Sequence, residues 1–241
     1  MLASTGGALR GRPTITTPDT IPTSVHIYPV RRKFHYEMAT VDELVTRLES
    51  EADQQSDPAE TPDVGIIMGS DSDLPTMEAA FDTLESHGFR EQTAFDQSPD
   101  GRFSYESYVV SAHRTPGLMS VYGETAADRG LDVIIAGAGG KSADLPNMTA
   151  SIAFPIPVIG VPVQEKSVGS VIGMPTGAPI VAVDAGKSSN AALSAVQILA
   201  REHTVLADRL RDSHESLQQD VASVSERLHD RGREEFQADH S

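Results

Sequence analysis

The feature that most constrains the fold is the alternation of short apolar runs with helical stripes after residue 63. Each run is apolar at consecutive positions, which is typical of strands covered on both faces of a parallel sheet. The pattern therefore predicts an α/β protein with three α/β/α layers around a parallel sheet, of the flavodoxin-like kind. The five predicted strands are 64–68, 108–110, 133–136, 157–161 and 180–183.

Helical periodicity predicts three helices within this region and one beyond it. The first carries an apolar stripe after Pro75 and stops at Gly88, the second runs from Pro116 to about Arg129, and the third covers 188–203. Further apolar residues at helical spacing predict a long C-terminal helix, which packs on its own domain or crosses a neighbouring subunit. Its apolar positions are Leu206, Leu210, Leu217, Val221, Val224 and Leu228.

The chain divides into four predicted segments and one insertion. Thr40, followed three residues later by Glu43, predicts the capped start of a short helix ahead of the main domain. The segments are 1–37 without periodicity, 38–63 with the short helix and an acidic linker, 64–203 as the α/β domain with a polar surface insertion at about 92–106, and 204–241 as the helical extension.

Acidic residues outnumber basic ones, and the imbalance is uneven. The chain has 19 Lys and Arg against 35 Asp and Glu, which gives a net charge of −16. Residues 1–37 hold five basic and two acidic residues, so they carry +3 and the remainder carries −19. We interpret 1–37 as a basic flexible arm or as a wrongly assigned start, with translation beginning at Met38. The acidic remainder predicts a halophilic protein from a high-salt cytoplasm, since salt screens self-repulsion, and ordinary acidity with an acidic tail is the alternative.

Composition also excludes several function classes. An acidic chain lacks the basic surplus that neutralises a phosphate backbone, so we expect no nucleic-acid partner. No apolar run is long enough to span a membrane and no secretory leader is recognisable, which predicts a cytoplasmic protein. The chain has no cysteine, so acid–base chemistry falls to imidazole and carboxylate groups. We predict neither a metal nor a cofactor.

Three polar or glycine-rich loops follow predicted strands, at 69–73, 111–116 and 136–140. Ligands of open parallel sheets bind beyond the carboxyl ends of the strands, so we expect the loops to share one site. In the second loop, His113 directly follows a strand and is the candidate general acid–base group. Arg114 beside it is the candidate anion ligand, because its guanidinium donates in a fork.

The first and third loops suit a ribose phosphate and a flat ring or anion. Gly69 permits close approach of the backbone, and Ser70 adds a hydroxyl ahead of a helix N-terminus. Asp73 is suited to accepting from sugar hydroxyls. The glycines of 137–140 again allow close backbone approach. Because the spaced dinucleotide fingerprint and the P-loop lysine are both missing, NAD and ATP are disfavoured.

Five sequence blocks, in order over about 64–202, resemble the N5-carboxyaminoimidazole ribonucleotide (N5-CAIR) mutase family, the PurE enzymes of purine biosynthesis, in their class I form. The resemblance implies a flavodoxin-like subunit, a homo-octamer with sites between subunits, and cofactor-free transfer of a carboxylate from the exocyclic nitrogen N5 to ring carbon C4. It also implies N5-CAIR synthetase as the functional partner. The blocks are Gly69–Asp73, Ser111–Pro116, Ala136–Gly140, Pro157–Val163 and Asn190–Leu193.

Carried over residue by residue, the resemblance implies that His113 is the catalytic acid–base residue. Protonation of N5 would release carbon dioxide into a closed pocket, C4 would attack it, and loss of the C4 proton would restore aromaticity, so one imidazole gives and recovers the proton. The implied ribose-phosphate contacts are Ser70, Asp73, Ser111 and Arg114, with Gly69 beside them, and the implied ring-pocket residues are Gly137, Ala138 and Gly139.

One run departs from the family pattern. Most bacterial mutases of this kind carry Ala-Ala-His-Leu-Pro-Gly-Met after the glycines, whereas this chain has Lys141 and Asp144 within Lys-Ser-Ala-Asp-Leu-Pro-Asn-Met. We interpret Lys141 and Asp144 as a local ion pair. Alternatively they change how carbon dioxide is held, which keeps direct aminoimidazole ribonucleotide (AIR) carboxylation open. A non-catalytic nucleotide-binding module is the remote alternative, which His113 at a strand end disfavours.

Overall fold

Six parallel strands form one sheet in the part of the chain that the computed structural model describes, residues 39–54, 56–57, 59–93 and 102–238. Their order is β2-β3-β1-β4-β5-β6. Apart from the short β2, this is the flavodoxin-like order, in which the chain turns to opposite sides of β1. The predicted fold class is confirmed. The strands are β1 (Val64–Met68), β2 (Phe89–Glu91), β3 (Phe103–Val109), β4 (Val133–Ala138), β5 (Val158–Pro162) and β6 (Val181–Ala182).

Helices cover both faces of this sheet and extend beyond it at the C-terminal end. Two short 3-10 turns, Asp71–Asp73 and Glu165–Ser167, lead directly into the second and fifth helices. The helices are α1 (Val41–Asp53), α2 (Leu74–Ser86), α3 (Pro116–Thr125), α4 (Leu145–Ile152), α5 (Val168–Ile172), α6 (Ser188–Leu199) and α7 (Thr204–Ala238).

The hydrophobic core consists of two clusters, one on each face of the sheet. Alternate residues of the central strands supply both clusters, because successive side chains of a strand point to opposite faces. In β1, for example, Ile66 packs in the cluster with α2 and α6, and Ile67 packs in the cluster with α1, α3 and α4. This two-sided burial explains why the central strands are apolar at consecutive positions.

The short helix ahead of the main domain begins where the capping pattern predicts. Thr40 accepts a hydrogen bond from the backbone N–H of Glu43, and the Glu43 side chain accepts from the Thr40 backbone N–H, so both halves of a capping box are formed. Leu48 is fully buried in the cluster beneath α3. Helix α1 is therefore an integral part of one helical layer.

A buried charge cluster also holds α1 against the domain. Arg129 is fully buried, and its Nη1 donates to both carboxylate oxygens of Glu106 at 2.7 Å. The same nitrogen lies 3.6 Å from Oε2 of Glu51 on α1. The Arg129 guanidinium also stacks on the ring of Tyr122, with its central carbon 4.8 Å from the ring centroid. One cation thus joins α1, α3 and β3.

Several predicted boundaries are wrong. The surface insertion predicted at 92–106 extends too far, because residues 103–106 form the buried first half of β3. Residues 94–101 of the predicted insertion lie outside the described part of the chain. The short strand β2 and helices α4 and α5 have no counterpart among the predicted elements. Helix α3 ends at Thr125 rather than near Arg129, because a series of turns follows it up to Gly130, whose φ is +86°. Residues 1–37 lie outside the described residues.

The C-terminal helix α7 confirms the predicted long helix and leaves most of its stripe unburied. It runs over 35 residues, with a break in helical geometry at Gly232. Leu206 is fully buried against the domain, whereas Val221 is 67% exposed. Leu217, Val224 and Leu228 are also exposed. No described helix, α7 included, has the length and apolar character needed to cross a membrane.

Candidate functional site

A cavity of about 330 Å³ lies at the carboxyl ends of the central strands, beside the point where the strand order reverses around β1. Flavodoxin-like sheets bind their ligands at this switch point. The three loops singled out in the sequence all reach the cavity. The structure brings eight predicted site residues to its wall, namely Gly69, Ser70, Asp73, Ser111, His113, Arg114, Ala138 and Gly139.

Gly137 is the exception, since it does not line the cavity. It belongs to β4, and its carbonyl accepts a hydrogen bond from the backbone N–H of Gly69 at 3.0 Å. A Cβ built on Gly137 would lie 2.3 Å from the sulfur of Met77. This glycine therefore allows α2 to pack closely on the sheet, and its place in a ring pocket stays a prediction.

Arg114 links the loops after β1 and β3. Its Nη2 donates to the carbonyl of Gly69 at 2.8 Å, and its Nε donates to the hydroxyl of Ser111 at 3.3 Å. The backbone N–H of Arg114 donates to the same hydroxyl at 3.2 Å. These contacts hold the guanidinium at the cavity wall. Arg114 directly follows His113 in the sequence, so a cation and an imidazole come from the same loop.

Ser70 organises the loop after β1. Its hydroxyl donates to the carboxylate of Asp71 at 2.9 Å and accepts from the backbone N–H of Ser72 at 3.3 Å. Ser70 thereby caps the 3-10 turn that precedes α2. Ser70 and Ser72 both line the cavity, and hydroxyl groups are suited to hydrogen bonding with phosphate oxygens.

Asp73 is the buried carboxylate of the site, with 6% of its surface exposed. Burial raises the pKa of this carboxyl, while backbone hydrogen bonding and the positive charge of Arg114 act in the opposite direction. A Cβ built on Gly139 would lie 3.0 Å from Oδ1 of Asp73. The glycine therefore makes room for a carboxylate that can accept from the hydroxyls of a sugar.

His113 faces an unpredicted partner. Its Nε2 lies 3.2 Å from Oδ2 of Asp144, and the other oxygen of Asp144 accepts from the hydroxyl of Ser170 at 2.6 Å. The His113 side chain is 62% exposed and that of Asp144 is 33% exposed. The interpretation of Asp144 as the partner of Lys141 is wrong, because within the described residues the ion pair of Asp144 is with His113.

Sequence reasoning missed the fourth side of the cavity. Gln164 and Lys166 reach it from the segment after β5, and Ser142 reaches it from the run before α4. Gln164 and Lys166 could have been predicted from the sequence, because strand β5 was predicted and its carboxyl end lies at the same edge of the sheet as the other loops. The cavity is also lined by Ser72, Ala112 and Gly140, which lie within the three predicted loops, and by Asp144 and Leu145 at the start of α4.

The cavity combines two cations, two carboxylates, one imidazole and several hydroxyls. Arg114 and Lys166 can bind anionic groups, while Asp73 and Asp144 can accept hydrogen bonds. Among the residues that the structure describes, no three His, Asp or Glu side chains are grouped to hold a metal ion. The site is equipped for binding an anion and for moving a proton.

Fold and cavity together define a doubly wound α/β protein with an imidazole, that of His113, in the cavity at its switch point. The AIR carboxylase family model matches residues 63–220, which include all the loops of the cavity. The chain belongs to the AIR carboxylase family.

Curated relatives agree with this assignment. The N5-CAIR mutase of Synechocystis sp. is 46% identical over 164 residues, which cover 66% of this chain and 84% of that protein. The N5-CAIR mutase of Bacillus subtilis is 44% identical over 175 residues, or 69% of this chain and 98% of that protein. The phosphoribosylaminoimidazole carboxylase of Schizosaccharomyces pombe is 40% identical over 76% of this chain, which corresponds to 31% of that protein.

A solved structure shows the same fold. The crystal structure of Treponema denticola PurE superposes with a TM-score of 0.55 at 26% sequence identity. The match covers 68% of this chain and 97% of that chain. Nearly all of that chain is therefore matched by about two thirds of this one.

Proposed function

We propose that this chain is an N5-CAIR mutase, an isomerase that moves the carboxylate of N5-CAIR from N5 to C4 to give 4-carboxyaminoimidazole ribonucleotide. The observation that carries the proposal is that His113 and Arg114 line one cavity with the loops after β1 and β4. Relatives named as N5-CAIR mutases at 39–46% identity support it.

The cavity provides a place for each part of this substrate. Arg114, with the hydroxyls of Ser70 and Ser111, binds the phosphate, because forked and charge-assisted donors suit its oxygens. Asp73 accepts from the ribose hydroxyls. The imidazole ring lies over Ala138 and Gly139, which places N5 and C4 near His113.

The reaction then needs one proton carrier. Protonated His113 gives its proton to N5 as the N–C bond to the carboxylate breaks, which releases carbon dioxide and leaves AIR. Carbon C4 attacks the retained carbon dioxide, and neutral His113 removes the C4 proton, which restores the aromatic ring. The imidazole ends as it began, so no net proton is consumed.

Two substrate mixtures test the proposal. Purified protein is supplied with N5-CAIR at low bicarbonate, or with AIR plus bicarbonate, and product formation is followed. We expect consumption of N5-CAIR without dependence on bicarbonate. His113→Asn should abolish turnover and leave ribonucleotide binding intact, whereas His229→Asn, an exposed histidine on α7, should match the wild type. Wild-type turnover by His113→Asn would refute the role of His113.

Direct carboxylation of AIR is the second candidate. The observation in its favour is the ion pair of Asp144 with His113, at the position where the bacterial pattern has a histidine. An altered pocket wall could hold carbon dioxide supplied from solution. Consumption of AIR and bicarbonate in preference to N5-CAIR would select this function.

We further propose that the chain works as a homo-octamer with sites between subunits. The exposed stripe of α7 supports assembly, since Leu217 and Val221 are 59% and 67% exposed and apolar surface of this kind favours burial between copies. Sedimentation analysis of the wild type and of Val221→Asp tests the proposal. We expect an octamer that the substitution dissociates, and a monomeric wild type would refute it.

Three expectations about the setting complete the proposal. The protein is cytoplasmic, it receives its substrate from N5-CAIR synthetase, and it operates at high salt. The net charge of −16 supports the last point, because high salt screens self-repulsion. Full stability after dialysis into dilute buffer would contradict it.

A further inference from the structure

We infer that Asp144 is a positioning residue that fixes the imidazole of His113, so that Nδ1 rather than Nε2 exchanges the proton with the substrate. The inference rests on the proposed role of His113. Its basis is the short approach of Nε2 to Oδ2 of Asp144, 3.2 Å, at the wall of the cavity. A carboxylate at this distance is within reach of a charge-assisted hydrogen bond from a ring N–H.

Asp144 is itself held from the side opposite His113. Its Oδ1 accepts from the hydroxyl of Ser170 at 2.6 Å. The backbone carbonyl of Ser170 accepts from the side-chain amide of Asn147 at 2.9 Å, which ties α5 to α4. Because Asp144 immediately precedes α4, two helices fix the carboxylate. A carboxylate fixed at one oxygen can orient a partner at the other.

This arrangement distinguishes the two ring nitrogens. An ionised carboxylate only accepts hydrogen bonds, so Nε2 must carry a proton to bond with Asp144. Within the described residues, Nδ1 has no hydrogen-bond partner, and His113 lines the cavity. Nδ1 is therefore the nitrogen available to a ligand. The same logic applies to catalytic triads, where an aspartate at one imidazole nitrogen sets the tautomer and orientation of the ring.

The assignment gives each proton of the cycle a defined location. In the imidazolium form, Nε2–H faces Asp144 and Nδ1–H faces N5 of the substrate. After Nδ1 has given its proton to N5, the neutral ring keeps its proton on Nε2 and presents the Nδ1 lone pair for the C4 proton. Asp144 accepts the hydrogen bond from Nε2–H in both forms of the ring, so it favours the tautomer that the second step requires.

The inference is tested by measuring kcat and KM of Asp144→Asn. The variants Asp144→Glu and Ser170→Ala are measured alongside it. An amide can present either its oxygen or its NH₂ to Nε2, so Asp144→Asn loses the preference for one tautomer. We expect kcat to fall about 10- to 100-fold with KM within about threefold of wild type. This loss is smaller than the roughly 10⁴-fold effect of the equivalent change in a buried triad, because His113 is exposed. Asp144→Glu keeps the charge and should restore kcat to within about tenfold of wild type.

The control is Glu165→Gln, which removes a negative charge from an exposed residue next to Lys166. It should leave kcat unchanged, which separates a local contact from a general change in charge. Ser170→Ala keeps Asp144 and removes its anchor, so we expect a loss of about three- to tenfold in kcat. In the double variant Asp144→Asn/Ser170→Ala, kcat should equal that of Asp144→Asn alone.

Each outcome decides one question. If His113→Asn is inactive while Asp144→Asn keeps kcat within twofold of wild type, the inference is wrong and the proposed function stands. A raised KM with unchanged kcat would make Asp144 a substrate ligand and would also overturn the inference. An active His113→Asn overturns the role of His113 itself and with it the inference. Should Asp144→Asn fail to fold, an unchanged kcat in Ser170→Ala refutes the inference.

Discussion

Replacement of Arg129 by methionine tests whether the buried charge cluster holds the domain together. The guanidinium is fully buried, and its Nη1 lies 2.7 Å from both oxygens of Glu106. In Arg129→Met the carboxylate of Glu106 stays buried without its counter-ion, as Glu106 is only 5% exposed. Removal of one partner from a buried pair costs about 3 to 5 kcal/mol, because an uncompensated charge remains.

A second variant separates charge from packing. In Glu106→Leu/Arg129→Met both charges of this pair are gone, and a buried pair replaced by hydrophobic residues of similar volume is often neutral in its effect on stability. We therefore expect the double variant to recover to within about 1 to 2 kcal/mol of wild type, a coupling well above the few tenths shown by independent sites. Arg211→Met is the control, because its ion pair with Asp208 is about 70% exposed and exposed pairs contribute about 0 to 1 kcal/mol.

The free energy of unfolding is measured by urea titration followed by far-UV circular dichroism, since the chain has no Trp. Protein concentration and salt are held constant, because assembly and screening both change the apparent stability. The reasoning is refuted if Arg129→Met costs less than about 1 kcal/mol, or if the effects of the two substitutions simply add. A large loss in Arg211→Met would point instead to a general effect of lost positive charge.

Three further substitutions test local features. Burial raises the pKa of Asp63 to about 6, so the folded state keeps a proton that the unfolded state releases near pH 4. Stability should fall by about 2 kcal/mol as the pH rises from 4 to 6, and by about 3 kcal/mol in total at higher pH, and urea midpoints of Asp63→Asn should lack this decline. Thr40→Ala removes the capping hydrogen bond of α1, which should cost about 1 kcal/mol and be detected as faster amide exchange in α1. Gly139→Ala places a Cβ 3.0 Å from Oδ1 of Asp73; KM should rise with an unchanged far-UV spectrum, and an unchanged KM would contradict the placement of Asp73 at the ribose.

The sequence was sufficient to predict five of the six strands described in the sheet and three walls of the cavity. The central strands were recognisable because both of their faces are buried, so Ile66 and Ile67 had to be apolar together. The loops were recognisable because parallel strands place their carboxyl ends at one edge. His113 could be singled out for the same reason, since it follows β3 at that edge.

Elements whose formation depends on tertiary contacts could not be predicted. Strand β2 has only three residues, and its Phe89 pairs with Phe103 of β3. Phe103 follows a polar stretch of sequence, so it was not recognised as the start of a strand. Glu106 looked like part of a surface segment because its partner Arg129 lies 23 residues away in sequence. Local composition carries no sign of such a pair, since a charged residue is buried only when another element supplies its partner.

Asp144 shows the same limit at the site itself. Lys141 is the cation nearest to Asp144 in the sequence, which suggested a local ion pair. In the structure, the Asp144 carboxylate lies beside His113 and Ser170 instead. The net charge of the chain is equally uninformative about the ligand, because at high ionic strength charges act over only a few ångströms. An acidic protein can therefore still attract an anion at a cavity lined by cations such as Arg114 and Lys166. The surface charge then governs behaviour toward the solvent, and the cavity governs specificity.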